Sequence, residues 1–585
     1  MSIDNKLLDI LDQGLRLRDN RSNWMSLWQE CRDIFLPDAA SFTTTETAGQ
    51  EGRQANYTSL PELARRGLST AIQAMMRPDG KRWFKAKPKV VALEGDEQAR
   101  MWCDLVTAIT YNALYDPRAN ATKVLAEADA GLTSFGTAVI NVGWDAAGKH
   151  LTFRGEDLKG AVLLQNKLGK IDAAWIFRTY TLRQVLTLFE RDKLTAKMKQ
   201  ELEGGKVDLE KPFELCHVCI PNEDYKLLGF APGRLPYASL WFSVSCRELI
   251  DKSGYWGFPY ITPRWETLAG ETYGRSPAMT ALNDARALLK MEATFLDAGE
   301  MATLPPLGAW ADLIRGDAQM FSGGLTLFDN HGGYQQSGPP MWPIQMGELP
   351  REVLQYLDVK QQRVEAAFFR DILELPRADN EKMTAAEIGA RHDQYIRQAA
   401  PVFSRIEANY NAPLIERVFA ILFREGMFPD PPESLYGQEI QFEYESPLKT
   451  ARDRADAFRV MEGLGMIQQM TAGLGPDKAA EVQDNIDVDV VVRYLAMKTD
   501  LPQVIMTPLQ KMLEARAERA KMIKQAQMAE MASKLGPAIG QIGGAAAKAK
   551  ETGMLGTDAP FPFQANDINA EDLLEGVDYQ EIMPA

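Results

Sequence analysis

The chain has 585 residues, of which 65 are Lys or Arg and 80 are Asp or Glu, so its formal net charge is −15. At about 100–200 residues per domain, this length predicts several domains. Apolar residues make up 45% and charged residues 25%, which excludes general disorder and a coiled-coil rod. The acidic balance argues against tight DNA binding by the whole surface, because such binding neutralises phosphates with Lys and Arg.

The cysteines and the N-terminal residues bear on the compartment. Five cysteines, an odd number, argue against a secreted disulfide framework and favour a reducing compartment. The N-terminal residues carry charges every few positions, unlike a signal peptide, and nowhere do about 18 apolar residues run uninterrupted. We therefore expect a soluble product that is not exported and has no membrane partner.

In the first half of the chain the pattern of apolar residues changes at about Gly136. Before it, apolar spacing predicts helices from residue 2 to about 35, over PELARRGLSTAIQAMM, and from about Glu97 to Tyr115. From Gly136 to about Tyr260, short β-rich runs alternate with Gly, Pro and Asp, and one helical piece lies near 181–203. This second part predicts a mixed α/β domain.

Two long helical patterns follow, separated by a turn-rich insert. Ser276-Pro277 pairs an N-cap residue with proline at the first helical position, and the pattern continues to Met301. The insert is dense in Gly and Pro and predicts only small strands. The second pattern runs from about Arg351 to Leu373. The simplest geometry is an antiparallel helical pair that carries the insert at its tip.

The last third is mainly helical. A polar loop, RADNEK, precedes a capping box at 384–387, and the helix that starts there should be kinked by Pro401 and Pro413. The segment QEIQFEYESPL predicts a strand, and residues from about 450 to 534 predict helices again. After Lys550 the chain has eight Asp or Glu and no Lys or Arg, which is typical of a solvated or partner-bound tail.

Motifs of catalysis and metal binding are weak or missing. The sequence has no phosphate loop, no G-x-S-x-G elbow and no H-E-x-x-H, so we expect neither an enzyme nor a cofactor. The string at Cys216, His217 and Cys219 resembles half a metal site, but it lies in an apolar strand pattern and predicts core packing. The acidic run at 484–489 lacks the calcium-loop glycine and predicts capping of the next helix.

The stretch RPDGKRWFKAKP is the most basic part of the chain. It can be interpreted as a nucleic-acid patch in which Trp83 stacks on bases. The favoured interpretation is a turn whose aromatic residues, Trp83 and Phe84, anchor the core while the lysines face water.

Five strings spread over about residues 20 to 530 resemble the portal, or head-to-tail connector, proteins of short-tailed tailed bacteriophages. They are NWMSLWQECRDIFLPD, LARRGLSTAIQAMMRPDGKRWF, AGLTSFGTAVINVG, ETYGRSPAMTALNDARALLKMEATFLDAGE and MTAAEIGARHDQYIRQAAPVFSRIEANYNAPLIERVFAILFREGMFPDPP. The last two are the most specific. RPDGKRWF departs from the family pattern, because it is more basic than the proline-rich turn expected there.

The resemblance implies an α+β, mainly α, portal fold assembled as a ring, usually dodecameric. Matching strings imply the following divisions: wing at 1–271 and 384–448, stem helices at 272–301 and 351–375, clip at 302–350, tunnel loop at 376–383, and helical crown at 449–535. The acidic low-complexity tail, 536–585, lies outside the resemblance.

The implied function is a DNA channel at one capsid vertex of the virion, made in the host cytoplasm. The ring docks the terminase motor during genome packaging and then acts as the head-to-tail connector in genome retention and ejection. The implied partners are further copies of the chain, double-stranded DNA, the terminase large subunit, a tail adaptor or tail tube protein and the major capsid protein. Scaffold or internal core proteins are further candidates.

Five cations are candidates for contact with the translocating DNA. Arg377 and Lys382 flank the tunnel loop and are the favoured pair, whereas Lys290, Lys360 and Arg363 of the stem are weaker candidates. For the stem cations, ion pairing between subunits is the favoured alternative.

Two other functions stay open on sequence grounds. One is a soluble multidomain enzyme with an unrecognised active site, whose long helices form a bundle. The other is a nucleic-acid-binding protein that acts as a monomer, which the acidic charge disfavours. Ring formation separates the portal from both, because a ring needs heterologous interfaces that close.

Overall fold

The computed structural model describes residues 3–44, 56–78, 80–90, 93, 96–203, 208–230, 233–303, 307–309, 314–315, 327–328, 341–343, 351–370, 404–444, 447–472, 487–498, 511–512 and 514–528. The chain divides into two compact units, Met1–Gly475 and Pro476–Ala585. The described residues are mainly helical with several antiparallel sheets, which confirms the α+β class. The capping box at 384–387, Pro401 and the acidic tail lie outside the described residues.

The N-terminal segment forms two helices where the sequence predicted one. Helix α1 spans Ile3–Asp19 and α2 spans Ser22–Phe35. Between them the buried Arg21 donates to the carbonyls of Leu158 and Ala161, at 3.1 and 2.6 Å. The prediction of a continuous helix is wrong because this anchor turns the chain, so that α1 and α2 bury their apolar faces in different cores.

The next elements are α3 (Leu60–Met76), β1 (Phe84–Pro88), α4 (Glu97–Leu114) and α5 (Ala121–Phe135). Helices α3 and α4 confirm the prediction, whereas α5 was not predicted, although its buried apolar residues recur at helical spacing. Trp83 and Phe84 are buried, and Lys85, Lys87 and Lys89 form ion pairs with carboxylates at the surface. The favoured interpretation of the basic stretch, an aromatic anchor with lysines facing water, is confirmed.

Two antiparallel sheets fill the region predicted as mixed α/β. The strands are β2 (Val139–Asp145), β3 (His150–Glu156), β4 (Ala161–Gln165), β5 (Ile171–Thr181), β6 (Pro212–Pro221), β7 (Tyr237–Ser243), β8 (Glu248–Tyr255) and β9 (Tyr260–Ile261). The orders are β3-β2-β9 and β4-β5-β6-β7-β8. Helices α6 (Leu182–Leu188) and α7 (Ala196–Glu203) split the helical piece predicted at 181–203, and α8 spans Asn222–Leu227.

Helix α1 covers one face of the five-stranded sheet. Its buried residues Leu7, Ile10 and Leu11 share a core with Trp175 and Phe177 of β5. Trp175 Nε1 donates to the Ile10 carbonyl at 2.9 Å. A Cβ added at Gly14 would lie 2.3 Å from the Trp175 ring, so only glycine lets the helix approach this closely. The opposite face of the sheet joins the main core, to which α2–α5 contribute.

The long helical pair is present. Helix α9 spans Pro277–Thr303, the insert contains the short strands β10 (Leu307–Ala309), β11 (Ile314–Arg315), β12 (Leu327–Phe328) and β13 (Met341–Pro343), and α10 spans Arg351–Ala367. Strand β10 pairs with β13, and β11 pairs with β12. The helix predicted to reach Leu373 is interrupted earlier, because Phe369 adopts a left-handed backbone with φ of 58°.

The remaining elements of the first unit close the main core. A π-helical turn at Glu407–Asn411 leads into α11 (Ala412–Arg424), so the backbone is irregular just before Pro413, where the sequence predicted a kink. Strand β14 (Ile440–Tyr444) confirms the predicted strand and pairs with β1. Helix α12 spans Pro447–Ala472.

In the second unit the described residues are helical. They form α13 (Val488–Lys498) and a helical stretch at 514–528. Asp487 Oδ1 accepts from the backbone N–H groups of Asp489 and Val490, at 2.9 and 3.3 Å, so Asp487 caps α13 as predicted. Asp489 binds the guanidinium of Arg516 at 2.5 and 2.7 Å.

A buried ion pair connects three elements of the main core. The Arg77 guanidinium, at the end of α3, contacts the carboxylate of Asp129 in α5, and both side chains are almost completely buried. The same guanidinium lies 4.6 Å from the ring centroid of Tyr410 in the π-helical turn. The pair therefore connects α3 and α5 to a segment more than 270 residues further along the chain, and removing either partner leaves the other charge buried and unpaired.

We expect Asp129→Ala to lower the free energy of unfolding by about 3–5 kcal/mol, since it leaves Arg77 unpaired. The double variant Arg77→Met/Asp129→Leu should recover most of that loss, because it buries no charge. Urea unfolding followed by tryptophan fluorescence measures both. A double variant that is no more stable than Asp129→Ala would contradict this account.

Candidate functional site

The helical hairpin α9–α10 begins where two glycine backbones meet. Gly136 ends α5 in the left-handed conformation, with φ of 76°. A Cβ added at Gly136 would lie 2.3 Å from the Gly274 carbonyl oxygen, and one added at Gly274 would lie 2.3 Å from the Gly136 carbonyl oxygen. Neither position accepts a side chain, so this close approach, called here the hairpin root, requires glycine on both sides.

Hydrogen bonds hold together the two chain segments that meet at the hairpin root. Gly274 N–H donates to Thr137 Oγ1 at 2.8 Å, and Trp265 N–H donates to the Gly136 carbonyl at 2.9 Å. Ser276 Oγ donates to the Ser134 carbonyl at 2.8 Å and accepts from Met279 N–H at 3.1 Å. One hydroxyl thus caps α9, as the sequence predicted, and also attaches α9 to the end of α5.

Aromatic side chains enclose the root. Trp28 of α2 donates from Nε1 to the Phe135 carbonyl at 3.2 Å. Its ring centroid lies 5.1 Å from that of Tyr273 in an edge-to-face arrangement, and 5.6 Å from that of Phe42. The fully buried Trp28 therefore fixes α2, the end of α5 and the start of α9 around a single point.

The hairpin is buried at one end only. At the start of α9, Ala278, Ala281, Leu282 and Ala285 belong to the main core, and so do Val364 and Phe368 at the end of α10. The start of one helix therefore lies beside the end of the other, which makes the pair antiparallel as predicted. From 289 to 301 the described side chains are all at least partly exposed, so this half of α9 leaves the core.

Large apolar side chains lie exposed on the part of the hairpin outside the core. Leu296 is 56% exposed and Tyr356 is 51% exposed, and Met301, Leu354 and Val359 are exposed as well. They belong to both helices and are available for contact with another molecule. We call these five residues the hairpin apolar set.

The charges on the hairpin are mixed, with an acidic excess on the outer half of α9. That half carries Lys290 together with Glu292, Asp297 and Glu300. Arg286, nearer the root, contacts the carboxylate of Glu30 in α2. The outer half therefore repels a polyanion more than it attracts one.

The three predicted stem cations differ from one another in burial and in ion pairing. Lys360 is only 9% exposed, and its Nζ lies 2.6 Å from Asp284 Oδ1 of α9 and 5.3 Å from the Tyr356 ring centroid. The hydrogen bond to Asp284 raises the pKa of Lys360 and keeps it charged. Its partner is thus a carboxylate of the same chain, which neither alternative from the sequence had named.

Lys290 and Arg363 are exposed, and no carboxylate among the described residues lies within ion-pair distance of either. Both are therefore free to meet DNA or a neighbouring subunit. Arg377 and Lys382 lie outside the described residues. DNA contact by all five cations stays a prediction.

The two cysteines of the Cys-His-x-Cys string pack into the cores on the two faces of the five-stranded sheet. Cys216 faces the core beneath α1, whereas Cys219 faces the main core on the other side of the sheet, so the two thiols cannot bind one ion. Burial raises the pKa of both thiols and lowers that of His217 to about 3. The neutral His217 ring lies within hydrogen-bond distance of Tyr260 and Ser239. Within the described ranges no cluster of His, Cys, Asp and Glu could hold a metal ion.

Comparison with known proteins identifies the family. Residues 9–506 match the family described as bacteriophage head to tail connecting protein. The chain is 26% identical over 537 residues to a "Probable portal protein" of Bordetella phage BPP-1, an alignment that covers 90% of this chain and 93% of that protein. It is 24% identical over 530 residues to a "Portal protein" of Salmonella phage epsilon15, covering 89% and 92%.

The chain belongs to the family of bacteriophage head-to-tail connecting proteins. The predicted function, that of a portal or head-to-tail connector, is confirmed. The family is structural rather than enzymatic, and its place is the head–tail junction of the virion. In the part of the chain that the structure describes, no helix is long and apolar enough to cross a membrane.

Sequence reasoning missed the hairpin root and the partner of Lys360. Gly136 and Gly274 both lie in strings that carried the family resemblance, AGLTSFGTAVINVG and ETYGRSPAMTALND, but nothing in either string shows that they meet. Asp284 and Lys360 are 76 residues apart, so their pairing depends on how the two helices pack.

We expect Gly136→Ala to destabilise the first unit by more than about 2 kcal/mol, because a left-handed backbone disfavours Ala and the new methyl group meets the Gly274 carbonyl. Gly299→Ala, in the exposed part of α9 with open space around it, is the control. That control should gain about 0.5–1 kcal/mol from the better helix former. Tryptophan fluorescence during urea unfolding measures the stability of both variants, and equal stability of the two would contradict the role of the root.

Proposed function

We propose that this chain assembles into a closed ring whose central channel carries double-stranded DNA, with the hairpin α9–α10 as the stem. The observation that carries the proposal is the hairpin apolar set. Its five exposed side chains lie on the part of the hairpin outside the main core. In a ring, each hairpin has a neighbour on both sides, and a heterologous contact repeated around the axis covers such a surface on every copy.

Each region of the proposed portal corresponds to its own segments of the chain. The proposed wing comprises 1–271 and 384–448, which includes both larger sheets and the aromatic core around Trp28. The proposed stem helices, 272–301 and 351–375, include most of α9 and all of α10. The short strands β10–β13 support a small clip at 302–350, where we place the docking of the terminase motor. The tunnel loop is assigned to 376–383 and the crown to 449–535.

The charge of the chain suits a channel that guides DNA without holding it. Twelve copies would carry a formal charge of about −180. Each phosphate contact strengthens binding and its salt dependence, so a wall lined with Lys and Arg would slow a sliding duplex. An acidic wall with a few cations, such as Lys290, Arg363, Arg377 and Lys382, keeps the duplex central while allowing it to move.

The proposed order in which partners bind follows from the position of a connector between head and tail. During packaging the ring would dock the terminase large subunit, in the capsid vertex formed by the major capsid protein. Afterwards it would receive a tail adaptor or tail tube protein, retain the genome and later release it. Scaffold or internal core proteins are further partners of the same ring.

Mass photometry of the purified chain should show a particle of about 780 kDa, twelve times 65.3 kDa, with a central hole in negative stain. Leu296→Asn/Tyr356→Asn should shift the population towards smaller particles, because it removes apolar contacts between stems. Leu227→Asn, at an exposed position at the end of α8, is the control and should assemble normally.

A wild-type chain that stays at 65.3 kDa over all concentrations, and forms no ring when mixed with its capsid protein, would contradict the ring proposal. Assembly of the double stem variant at wild-type yield would contradict the role of the hairpin apolar set.

The tunnel-loop assignment has its own test. Arg377→Ala/Lys382→Ala removes two positive charges per subunit from the proposed loop, so we expect packaged DNA per capsid to fall while ring assembly is unchanged. Lys197→Ala/Lys123→Ala, at exposed positions in α7 and α5, is a control that removes the same charge elsewhere. The DNA content of purified capsids measures the effect. Wild-type DNA content in the loop variant would show that these two residues do not act on DNA.

A further inference from the structure

A groove in the first unit combines cations with exposed aromatic rings. It has a volume of about 770 Å³ and lies between α11 and the β8–β9 region of the two larger sheets. Four cations line it, Lys170, Arg264, Arg417 and Arg424, against a single carboxylate, Glu416. It contains none of the predicted DNA contacts. We call it the basic groove.

The cations of the basic groove lack anionic partners in the described part of the chain. No carboxylate there lies within ion-pair distance of any of the four. Arg264 donates to the carbonyls of Thr272 and Gly169, at 3.3 and 2.8 Å. Backbone carbonyls thus compensate part of the cost of removing the Arg264 charge from water, without neutralising it. Cations therefore outnumber carboxylates in the groove by four to one, and the groove has a positive excess.

Arg417 forms the floor of the groove. Its Nη1 donates to the Gly257 carbonyl at 3.1 Å, and Nη2 lies 3.5 Å from the Val142 carbonyl. Its Nε is buried and has no hydrogen-bond partner in the part of the chain that the structure describes. Burial and the neighbouring charge of Arg424 lower the pKa of Arg417 to about 10. An anion bound in the groove would relieve the repulsion between Arg417 and Arg424.

The rim of the groove offers apolar contact. Trp256 is 62% exposed and Phe423 is 53% exposed, and both line the groove. Phe258 and Phe419 lie beside them, half-buried. Large aromatic rings next to arginine are the residues that most often dominate binding at protein interfaces. A ligand that fits both features carries negative charge and apolar side chains close together.

We propose that the basic groove binds an acidic peptide segment of a partner protein, with carboxylates on Arg417, Arg424 and Lys170 and an apolar side chain between Trp256 and Phe423. A flexible side-chain carboxylate can reach the floor of a groove. A DNA duplex holds its phosphates in a rigid row along its backbone, so they cannot reach into the groove one at a time. Glu416 on the wall also disfavours a continuous run of phosphates, whereas a peptide can place an uncharged residue there.

The test is fluorescence anisotropy with the full-length assembled protein. The probe is a fluorescein-labelled peptide of ~12 residues, made of Asp and Glu with two Phe, and we expect a Kd of about 10–100 µM at low salt. Two further probes are the same peptide with Asn and Gln in place of Asp and Glu, and a duplex of ~20 base pairs. The neutral peptide should bind at least about tenfold more weakly.

Groove variants locate the binding. Lys170→Glu/Arg424→Glu changes two exposed side chains of the groove and should weaken binding of the acidic peptide at least about tenfold. Lys123→Glu/Lys197→Glu makes the same change of charge at exposed positions outside the groove and should leave the affinity unchanged. Trp256→Ala should weaken binding about three- to tenfold, through the lost apolar contact.

Each other outcome overturns the proposal. Failure of the acidic peptide to bind, equal binding by the neutral peptide, or unchanged affinity in the groove variant would show that the groove does not recognise acidic segments. Tighter binding of the duplex, lost in the groove variant, would assign the groove to DNA. Binding to dissociated subunits but not to the assembled protein would assign it to a contact between copies of this chain.

Discussion

The close approach of Gly136 and Gly274 is the constraint on which the rest of the structure depends. Two backbones that touch without side chains bring the end of α5 and the start of α9 to one point, and Ser276 attaches them by a single hydroxyl. The direction of a helix of 27 residues, about 40 Å, is set at that end. A small change of angle at the root would move the far end of the hairpin by several ångströms, so the root must be rigid. The aromatic residues around Trp28 provide that rigidity.

The hairpin shows how one pair of helices serves two purposes. Small residues at the start of α9, with Val364 and Phe368 of α10, pack tightly into the main core and hold the pair. Beyond Leu288 the same helices expose Leu296, Tyr356 and their neighbours, which one chain alone does not cover. A connector needs both properties, since its subunits must fold individually and still complete their surface through contact with one another.

The effect of a cation in this protein depends on whether it is paired with a carboxylate, and not only on the number of Lys and Arg. The chain is acidic overall, yet Arg77 and Lys360 are neutralised within the chain by Asp129 and Asp284, whereas the four cations of the basic groove form no ion pair with a carboxylate of the described residues. Because paired charges attract a polyanion weakly, the count of Lys and Arg in a segment overstates its affinity for DNA. A few unpaired cations in a concave site therefore have more effect than many paired cations on an exposed face.

The sequence by itself determined the α+β class, the two long helices with their turn-rich insert, the N-cap at Ser276, and the family. These properties depend on local patterns, namely apolar spacing, caps and breakers, and on strings that resemble a known family. Tertiary structure decided the rest. The break at Arg21, the meeting of Gly136 with Gly274 and the pair of Lys360 with Asp284 each depend on residues far apart in the chain. Local periodicity carries no information on such contacts, because they form only when separate elements pack against one another.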